Sequence, residues 1–284
     1  MKAAPLGLLL APVALVLVLF FGAFGYFITT SVLHQIPGTA MMAGPPSLAN
    51  YAAVLSSPLA QRVFVGTLLL SLEVTLTAAL AGYPLAYLLA RSHSRRVRQL
   101  ILTILTVTFF SGGITRAYAW MILLGNNGPI NRGLRSLGFD ALPLLNYWPG
   151  VMISLVHFVM PFFVLTLFGA IGAVPSALEE AARNLGAGRW QAFARITFRL
   201  SLPGLVSAML LTFTITLSSF LFPLLLGGGR VQMVASLIYD SLQNSFDMPT
   251  AAAMSVLFLV LSLLPLSAIA LARTVLRART EATR

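Results

Sequence analysis

The chain has 284 residues, of which 58% are hydrophobic and only 9% are charged. A soluble domain would carry about a quarter charged residues, so this composition indicates a protein embedded in a membrane. The chain contains no cysteine, which excludes disulfides, thiolate metal sites and thiol nucleophiles. Lys2 is the only lysine, so the chain has no Gly-Lys-Ser/Thr phosphate loop. If ATP drives this protein, a partner must hydrolyse it.

Six apolar stretches are long enough to cross a hydrocarbon core of about 30 Å, which takes about 20 helical residues. They cover residues 6–31, 63–90, 99–123, 147–174, 204–226 and 251–272. The first follows Lys2, as in a signal peptide, but its apolar core runs uncharged to His34, so we expect a retained helix. The sequence therefore predicts an all-α integral membrane protein with six transmembrane helices, in which residues 1–284 form a single transmembrane domain.

Basic residues are distributed unequally between the two sets of connections. The side that carries most of them holds Lys2, Arg91, Arg95, Arg96, Arg98, Arg183, Arg189, Arg195, Arg199, Arg273, Arg277, Arg279 and Arg284. The other side holds Arg62, Arg132, Arg135 and Arg230, with Arg116 near a helix end. The positive-inside rule then predicts a multi-pass protein with both termini in the cytoplasm. Topology thus accounts for most of the net charge of +11, and nucleic acid is not an expected partner.

Residues 176–203 form a polar segment between the fourth and fifth spans. Ser176 and Glu179 have the spacing of a helix-capping box, and Gly186 can end that helix in the left-handed conformation. A second short helix is expected from Gly188, with the fifth span beginning at residues 203–204. The segment is either an interfacial helix whose arginines contact anionic headgroups, or a docking element for a cytoplasmic partner.

In the docking interpretation, Glu179 and Glu180 pair with arginines of the partner. Small side chains at Ala181 and Ala182 would permit close approach of that partner. The run from Glu180 to Ala182, followed by Gly186 and then by Ile196, resembles the EAA motif of type I ABC-importer permeases. The sequence departs from that motif after Ile196.

The departure is that Phe198 and Arg199 stand where the motif usually has Leu-Pro. Further stretches resemble the polyamine, or spermidine/putrescine, branch of the same permeases. They are Tyr83 to Tyr87 with Arg91, Arg116 to Trp120 with the residues up to Asn131, and Phe246-Asp247 with Pro249, Ala252 and Ala253.

The resemblance implies the six-helix fold of a type I importer permease and a transport role without catalysis. Its partners would be two ABC ATPase subunits, a second, homologous but different permease subunit, and an external solute-binding protein, in a bacterial inner membrane. ATP and Mg would be bound by the ATPases, and this chain would bind no cofactor. The residues that the resemblance assigns to ATPase coupling are Glu179, Glu180, Ala181, Ala182, Gly186 and Ile196.

Candidates for the solute pathway follow from charge and aromatic character. Glu73 is the only acid within a predicted span, where an ionisable group is costly. It is either a counter-charge for a cationic solute or a structural hydrogen bond to a neighbouring helix, through Thr75 or a hydroxyl of a partner subunit. Asp240 and Asp247 either face the outer mouth or are solvated loop acids. Tyr118 and Trp120 offer either cation–π contacts or interfacial anchoring.

The sequence also suggests roles for two basic side chains near the third and fourth spans. Arg116 is expected to extend to the headgroups or to serve a structural or gating role, and His157 to be hydrogen-bonded packing. The three histidines lack metal-ligand spacing.

An ABC permease for phosphonate, ferric iron or another small solute is an alternative. An ion-driven secondary transporter is less favoured, because its usual intramembrane acids and inverted repeats are not evident.

Overall fold

The computed structural model describes residues 6–36, 42–43, 45–263 and 267. Lys2, the end of the predicted sixth span and the C-terminal arginines lie outside the described residues. Those arginines are Arg273, Arg277, Arg279 and Arg284. The chain divides into two compact units, one formed by Met1–Phe64 with Leu237–Arg284 and the other by Val65–Ser236.

Helices form nearly all of the described secondary structure. The first seven are α1 (Leu6–Ser31), α2 (Ala49–Ser56), α3 (Pro58–Arg91), α4 (Arg95–Phe110), α5 (Gly113–Leu124), α6 (Pro129–Ser136) and α7 (Trp148–Gly172). The others are α8 (Ser176–Asn184), α9 (Arg189–Ala192), α10 (Phe198–Leu217), α11 (Leu221–Leu226), α12 (Val234–Gln243) and α13 (Met248–Leu263), with a π-helical turn at Phe193–Thr197 between α9 and α10. A small hairpin, β1 (His34–Gln35) antiparallel to β2 (Met42–Ala43), is the exception to the predicted all-α fold.

Four helices in the described part are long and apolar enough to cross a membrane: Pro12–Ser31, Pro58–Arg91, Trp148–Gly172 and Arg189–Leu217. The first, second and fourth predicted spans therefore coincide with α1, α3 and α7 to within a few residues. A bent helix pair, α4 with α5, would make a fifth span if it crosses as one unit. Helix α13 is shorter, and the continuation of the predicted sixth span lies outside the described residues. The count of six spans stays a prediction.

The predicted third span, residues 99–123, is not one straight helix. Helix α4 ends at Phe110, and the segment that begins at Gly113 leaves it at an angle of 103°. Ser111 and Gly112 adopt extended backbone at the break. Two consecutive glycines, Gly112 and Gly113, disfavour a continuous helix at this point because they lose more backbone freedom on ordering than other residues.

The predicted fifth span, residues 204–226, is displaced and divided. Its helix is continuous from Arg189 to Leu217, with Pro203 inside α10 rather than at its start. Membrane helices tolerate such a proline because neighbouring groups can satisfy the freed carbonyl. The helix stops at Leu217, and residues 218–220 separate it from α11.

Helix α7 lies at the centre of the unit Val65–Ser236. Its buried side chains lie on several sides of the helix, and α10, α11, α4 and α5 pack against it. They include Val151, Leu155, Val159, Phe163, Val164, Leu167 and Ile171. A helix that is apolar all round is typical of the interior of a helix bundle.

Glycines allow two helices to approach α7 closely. A Cβ atom on Gly82 of α3 would meet the Phe163 ring, and one on Gly204 of α10 would meet the Cβ of Ala170. Small residues at helix–helix contacts are usual in membranes, where dispersion contacts between closely packed backbones stabilise association.

In the other unit, polar contacts join the end of α1 to α2. The Ser31 and Tyr51 hydroxyls lie 2.6 Å apart, and the Asn50 amide donates to the carbonyls of Ser31 and Leu33. The Gln35 side chain donates to the carbonyl of Phe246 and accepts from the amide of Met248, which fixes the start of α13.

Candidate functional site

Helix α8 forms the first half of the polar segment, and its start differs from the prediction. Ser176 is the first helical residue and Pro175 occupies the cap position, with no side-chain cap hydrogen bond. The predicted capping box is therefore wrong. The physical reason is that Glu179, which would complete it, turns towards helix α3, where stronger donors are present.

The Glu179 carboxylate accepts hydrogen bonds from three side chains on two other elements. From α3, Tyr87 donates its hydroxyl to Oε2 at 3.0 Å and Arg91 donates Nε to Oε1 at 3.1 Å. From the π-helical turn, the Thr197 hydroxyl donates to Oε1. The side chains of Arg91 and Glu179 are only 16% and 15% exposed, so this ion pair is largely withdrawn from solvent. The expectation that Glu179 meets an arginine of a partner is not what the structure shows, because its own chain supplies the arginine.

The next residues of the motif are outward-facing. Glu180 and Ala181 are exposed, Ala182 is partly buried, and α8 has no fully buried residue. Among the described contacts, Glu180 makes neither a hydrogen bond nor an ion pair. Of the two adjacent acids, Glu180 is therefore the exposed one without a described contact.

Helix α8 ends in the left-handed glycine turn that the sequence predicts. Gly186 has φ of +91°, its amide donates to the Arg183 carbonyl, and the Ala187 amide donates to the Ala182 carbonyl, each at 3.0 Å. This pair of hydrogen bonds is a Schellman motif. A Cβ atom on Gly186 would meet nothing within 4 Å, so the glycine is required by its backbone conformation and not by crowding.

The second half of the segment is one helix that continues into α10. Ile196 is partly buried within the π-helical turn, and the exposed Arg199, which stands where the EAA motif has proline, lies within regular helix. Phe193 packs against Tyr87 of α3, with ring centroids 5.0 Å apart. Nearby, the hydroxyls of Tyr83 and Ser201 lie 2.8 Å apart.

Large apolar side chains are exposed around the glycine turn. Leu185 is 89% exposed and Trp190 is 76% exposed, and Leu178 is also exposed. Together with Glu180, these side chains form what we term the α8–α9 surface. An exposed tryptophan and leucine beside an unpaired acid have the composition of a protein-binding site.

Glu73 lies on the exposed face of α3. Its Oε2 accepts a hydrogen bond of 2.6 Å from the Trp148 indole at the start of α7. The same exposed stripe carries Leu69, Leu72, Leu76 and Leu80. A structural hydrogen bond to a neighbouring helix is thus present, but its donor is Trp148. Thr75, the predicted candidate, donates instead to the carbonyl of Ser71.

The third and fourth spans share an aromatic and basic cluster. Trp120 donates its indole N–H to Nδ1 of His157 at 3.2 Å, which confirms the hydrogen-bonded packing predicted for that histidine. Tyr118 is about half exposed. Arg116 is buried, with its guanidinium 4.8 Å from the centroid of the Phe158 ring. The expectation that Arg116 extends to the headgroups is wrong, because its side chain points into the bundle.

The two aspartates outside the spans make local contacts. Asp247 accepts from the backbone amide of Thr250 and caps the first turn of α13, and Asp240 accepts from the Asn244 side chain. Both belong to the unit that contains α13, whereas Glu73 belongs to Val65–Ser236. The structure therefore brings together the residues of the polar segment, but it gives each predicted pathway acid a separate partner.

A cavity of about 240 Å³ lies where two helix breaks meet in the unit Val65–Ser236. It is lined by Gly113, Phe158, Ile215 and residues 218–222. This cavity was not predicted from the sequence. Its signal in the sequence is the glycine pair at residues 112–113 and the serine pair at residues 218–219, each of which interrupts an apolar run.

Long apolar helices with an exposed short helix between two of them define a membrane-embedded protein. The family described as "Binding-protein-dependent transport system inner membrane component" matches residues 82–277, and the chain belongs to this family of ABC transporter permeases. The family is one of inner-membrane transport subunits. Its match begins in α3 and includes the whole polar segment.

Curated relatives include the spermidine/putrescine transport system permease protein PotB of Haemophilus influenzae, 32% identical over 77% of this chain and 77% of the relative. PotB of Escherichia coli K12 is 34% identical over 74% of this chain and 76% of that protein. Among solved structures, a bacterial ABC transporter for import of the acidic polysaccharide alginate is 21% identical, with a TM-score of 0.73 over 91% of each chain. At that identity, the structural likeness shows the importer-permease fold alone.

Proposed function

We propose that this chain is the membrane-spanning subunit of an ATP-driven importer that passes a polyamine, spermidine or putrescine, from an external binding protein to the cytoplasm by alternating access. The geometry of α8 carries the transport part of this proposal: it is a short helix with an exposed acid, closed by a left-handed glycine and followed by exposed apolar side chains. The PotB relatives support the choice of cargo.

The proposed assembly contains two ABC ATPase subunits, which bind ATP and Mg, and a second permease that is homologous to this one but different. This chain would supply six spans in the inner membrane, with both termini on the cytoplasmic side. A related solved complex contains an alginate-bound periplasmic protein, which supports the inclusion of an external binding protein. The arginines around α8 and at the start of α4 would then face the cytoplasm.

The α8–α9 surface would fit a groove on the ATPase. Glu180 would pair with an arginine of that groove, while Ala181 and Ala182 let the backbones approach and Gly186 fixes the turn. Closure of the ATPases on ATP would move the α8 helices together and switch the bundle between inward-facing and outward-facing packings. Rigid-body switching between packed states is an established mode of transmission in proteins. Ile196 would anchor the second half of the segment.

Glu73 and the aromatic side chains are proposed for the polyamine pathway. A carboxylate on an exposed membrane face is costly unless water, a second subunit or a cation meets it, and one indole hydrogen bond leaves most of its acceptor capacity unused. Tyr118 and Trp120 would contact the cation through their ring faces. Asp240 and Asp247 would attract the cation at the outer mouth.

The binding of solute by the partner binding protein tests the cargo. We expect calorimetry on the binding protein encoded beside this permease to show spermidine or putrescine binding, and proteoliposomes of the full complex to take up the same amine with ATP. Phosphonate or ferric iron in place of polyamine would contradict the cargo but not the transport class. Uptake that needs an ion gradient and no ATPase would contradict the class.

The pathway role of Glu73 is tested by Glu73→Gln. Glutamine keeps an acceptor for Trp148 but removes the charge, so we expect polyamine uptake per folded complex to fall about tenfold, equivalent to about 1.4 kcal/mol. The matched control, Trp148→Phe, removes the hydrogen bond and keeps the charge, and should reduce uptake far less. Normal uptake by Glu73→Gln would assign the carboxylate to the α3–α7 contact alone.

A further inference from the structure

We infer that Glu179 connects helix α8 to α3 and α10 within this chain, and that it does not contact the ATPase. This inference rests on the proposed function, which supplies the force on α8. The two adjacent acids then have different roles. Glu180 binds the ATPase, and Glu179 transmits the displacement of α8 to α3 and α10.

The Glu179 carboxylate is occupied by donors from its own chain. Both oxygens of Glu179 already accept hydrogen bonds, from Tyr87, Arg91 and Thr197. An ion pair that is largely withdrawn from solvent is costly to break, because each charge would be left without its partner. An arginine of the ATPase could reach Glu179 only by displacing donors that are part of the fold.

The donors to Glu179 lie on two different helical segments. Tyr87 and Arg91 occupy the last two turns of α3, which is a long apolar helix, and Thr197 is the last residue of the turn that leads into α10. A single carboxylate on α8 is therefore bonded to the last turns of α3 and to the π-helical turn that continues into α10. A displacement of α8 is transmitted to both of them as long as these bonds hold.

Helix α8 has a well-defined C-terminal end but is lightly packed. The Schellman motif fixes its C-terminal end, and none of its residues is fully buried. Apolar burial therefore contributes little to holding this helix in place. Polar bonds such as those of Glu179 must carry much of the attachment, so α8 should become loosely attached when they are cut.

The π-helical turn supports the same assignment. A π-helical turn is less stable than a regular one and is found frequently at functional sites. Here it ends on Thr197, whose buried side chain donates to Glu179, and it includes Phe193, whose ring packs against Tyr87. The altered helical register thus places two contacts on the α3 end where Arg91 and Tyr87 lie.

The test uses the complete importer in proteoliposomes and compares Glu179→Ala with Glu180→Ala. For Glu179→Ala we expect ATPase subunits to remain bound while the ratio of spermidine transported to ATP hydrolysed falls about tenfold, within the range by which residues of a coupling network act. Glu180→Ala should instead reduce the amount of bound ATPase. A merely structural role for Glu179 would lower the yield of folded complex without changing that ratio.

A charge exchange provides a second measurement if Glu179→Ala folds poorly. Arg91→Glu and Glu179→Arg should each uncouple transport, and the double variant should recover a substantial part of the ratio, because an ion pair between α3 and α8 is restored. Absence of any recovery, together with loss of bound ATPase in Glu179→Arg alone, would show that Glu179 contacts the ATPase and would overturn the inference. Tyr87→Phe and Thr197→Val, which remove single hydroxyls, should give intermediate ratios.

A distance measurement tests the link without any solute. Because the chain contains no cysteine, spin labels can be placed at His93→Cys and Asn184→Cys, two exposed positions beyond α3 and at the end of α8. We expect a narrow distance distribution that is the same with and without ATP, and a broad, ATP-dependent one after Glu179→Ala. Identical narrow distributions in both proteins would overturn the inference, while ATP-dependent uptake by the unmodified complex would leave the proposed function intact.

Discussion

The Glu180→Arg variant is expected to lose its ATPase partner. Glu180 is exposed and makes no described ion pair, so reversing its charge should disturb α8 itself very little. If an arginine of the ATPase faces it, the reversal replaces an attraction by a repulsion between like charges, which costs several kcal/mol. We expect affinity for the ATPase to fall by about two orders of magnitude or more, with loss of uptake.

Co-purification of ATPase with the permease measures this effect directly. Asp140→Arg is the matched control, because Asp140 is also an exposed acid but lies in the connection between α6 and α7, on the proposed outer side. The control should retain ATPase at the level of the unmodified protein. Equal retention by Glu180→Arg, with normal uptake, would contradict the assignment of the α8–α9 surface to the ATPase.

The Gly204→Leu variant is expected to disrupt the packing of α10 on α7. The first side-chain atom at this position would already overlap the Cβ of Ala170, so the two helices would have to separate. Overpacking of a core costs about 1–3 kcal/mol and occasionally more. Here the effect should lie at the upper end, because both clashing groups are close to the backbone and no flexible side chain can move aside.

Thermal unfolding of the purified protein in detergent measures the loss of stability. Gly169→Leu is the control, since Gly169 lies one residue before Ala170 on α7 and an added Cβ there would meet nothing within 4 Å. The control should unfold at nearly the temperature of the unmodified protein. A Gly204→Leu protein that is as stable as the control would show that α7 and α10 are not in close contact at this point.

Hydropathy predicted the long helices well and the breaks poorly. Helix α1 has the predicted bounds because its long apolar run contains no charged residue. The third and fifth predicted spans were wrong in detail because an apolar sequence is equally compatible with a straight or a bent path. The bend after Phe110 depends on Gly112 and Gly113, and the extension of α10 past Pro203 depends on packing against α7.

Site features that depend on neighbouring residues were predicted from the sequence, whereas those that depend on residues far apart in the chain were not. Gly186 was predicted because a left-handed helix end has a local signature. The role of Glu179 was not, since its ion-pair partner Arg91 is 88 positions away in the chain. The burial of Arg116 was missed for a similar reason: the apolar environment of a guanidinium is set by helices that are distant in sequence.

The two helix breaks have a consequence for the solvent inside the bilayer. Helix α4 has 16 residues and is about 24 Å long at 1.5 Å per residue, so in a bilayer it would end before crossing the hydrocarbon core. A Cβ atom on Gly113 would lie 3.4 Å from Leu221, so the break before α5 adjoins the one before α11, and both line the 240 Å³ cavity.

Helix ends leave backbone carbonyl and amide groups without intrahelical partners, and lipid tails cannot satisfy them. Non-helical backbone at membrane depth is found only where protein covers it or where water reaches it. The cavity between these breaks should therefore be reached by water or covered by other protein. If water reaches it, the region has a higher dielectric than the surrounding hydrocarbon, and the backbone groups at these helix ends can form hydrogen bonds there.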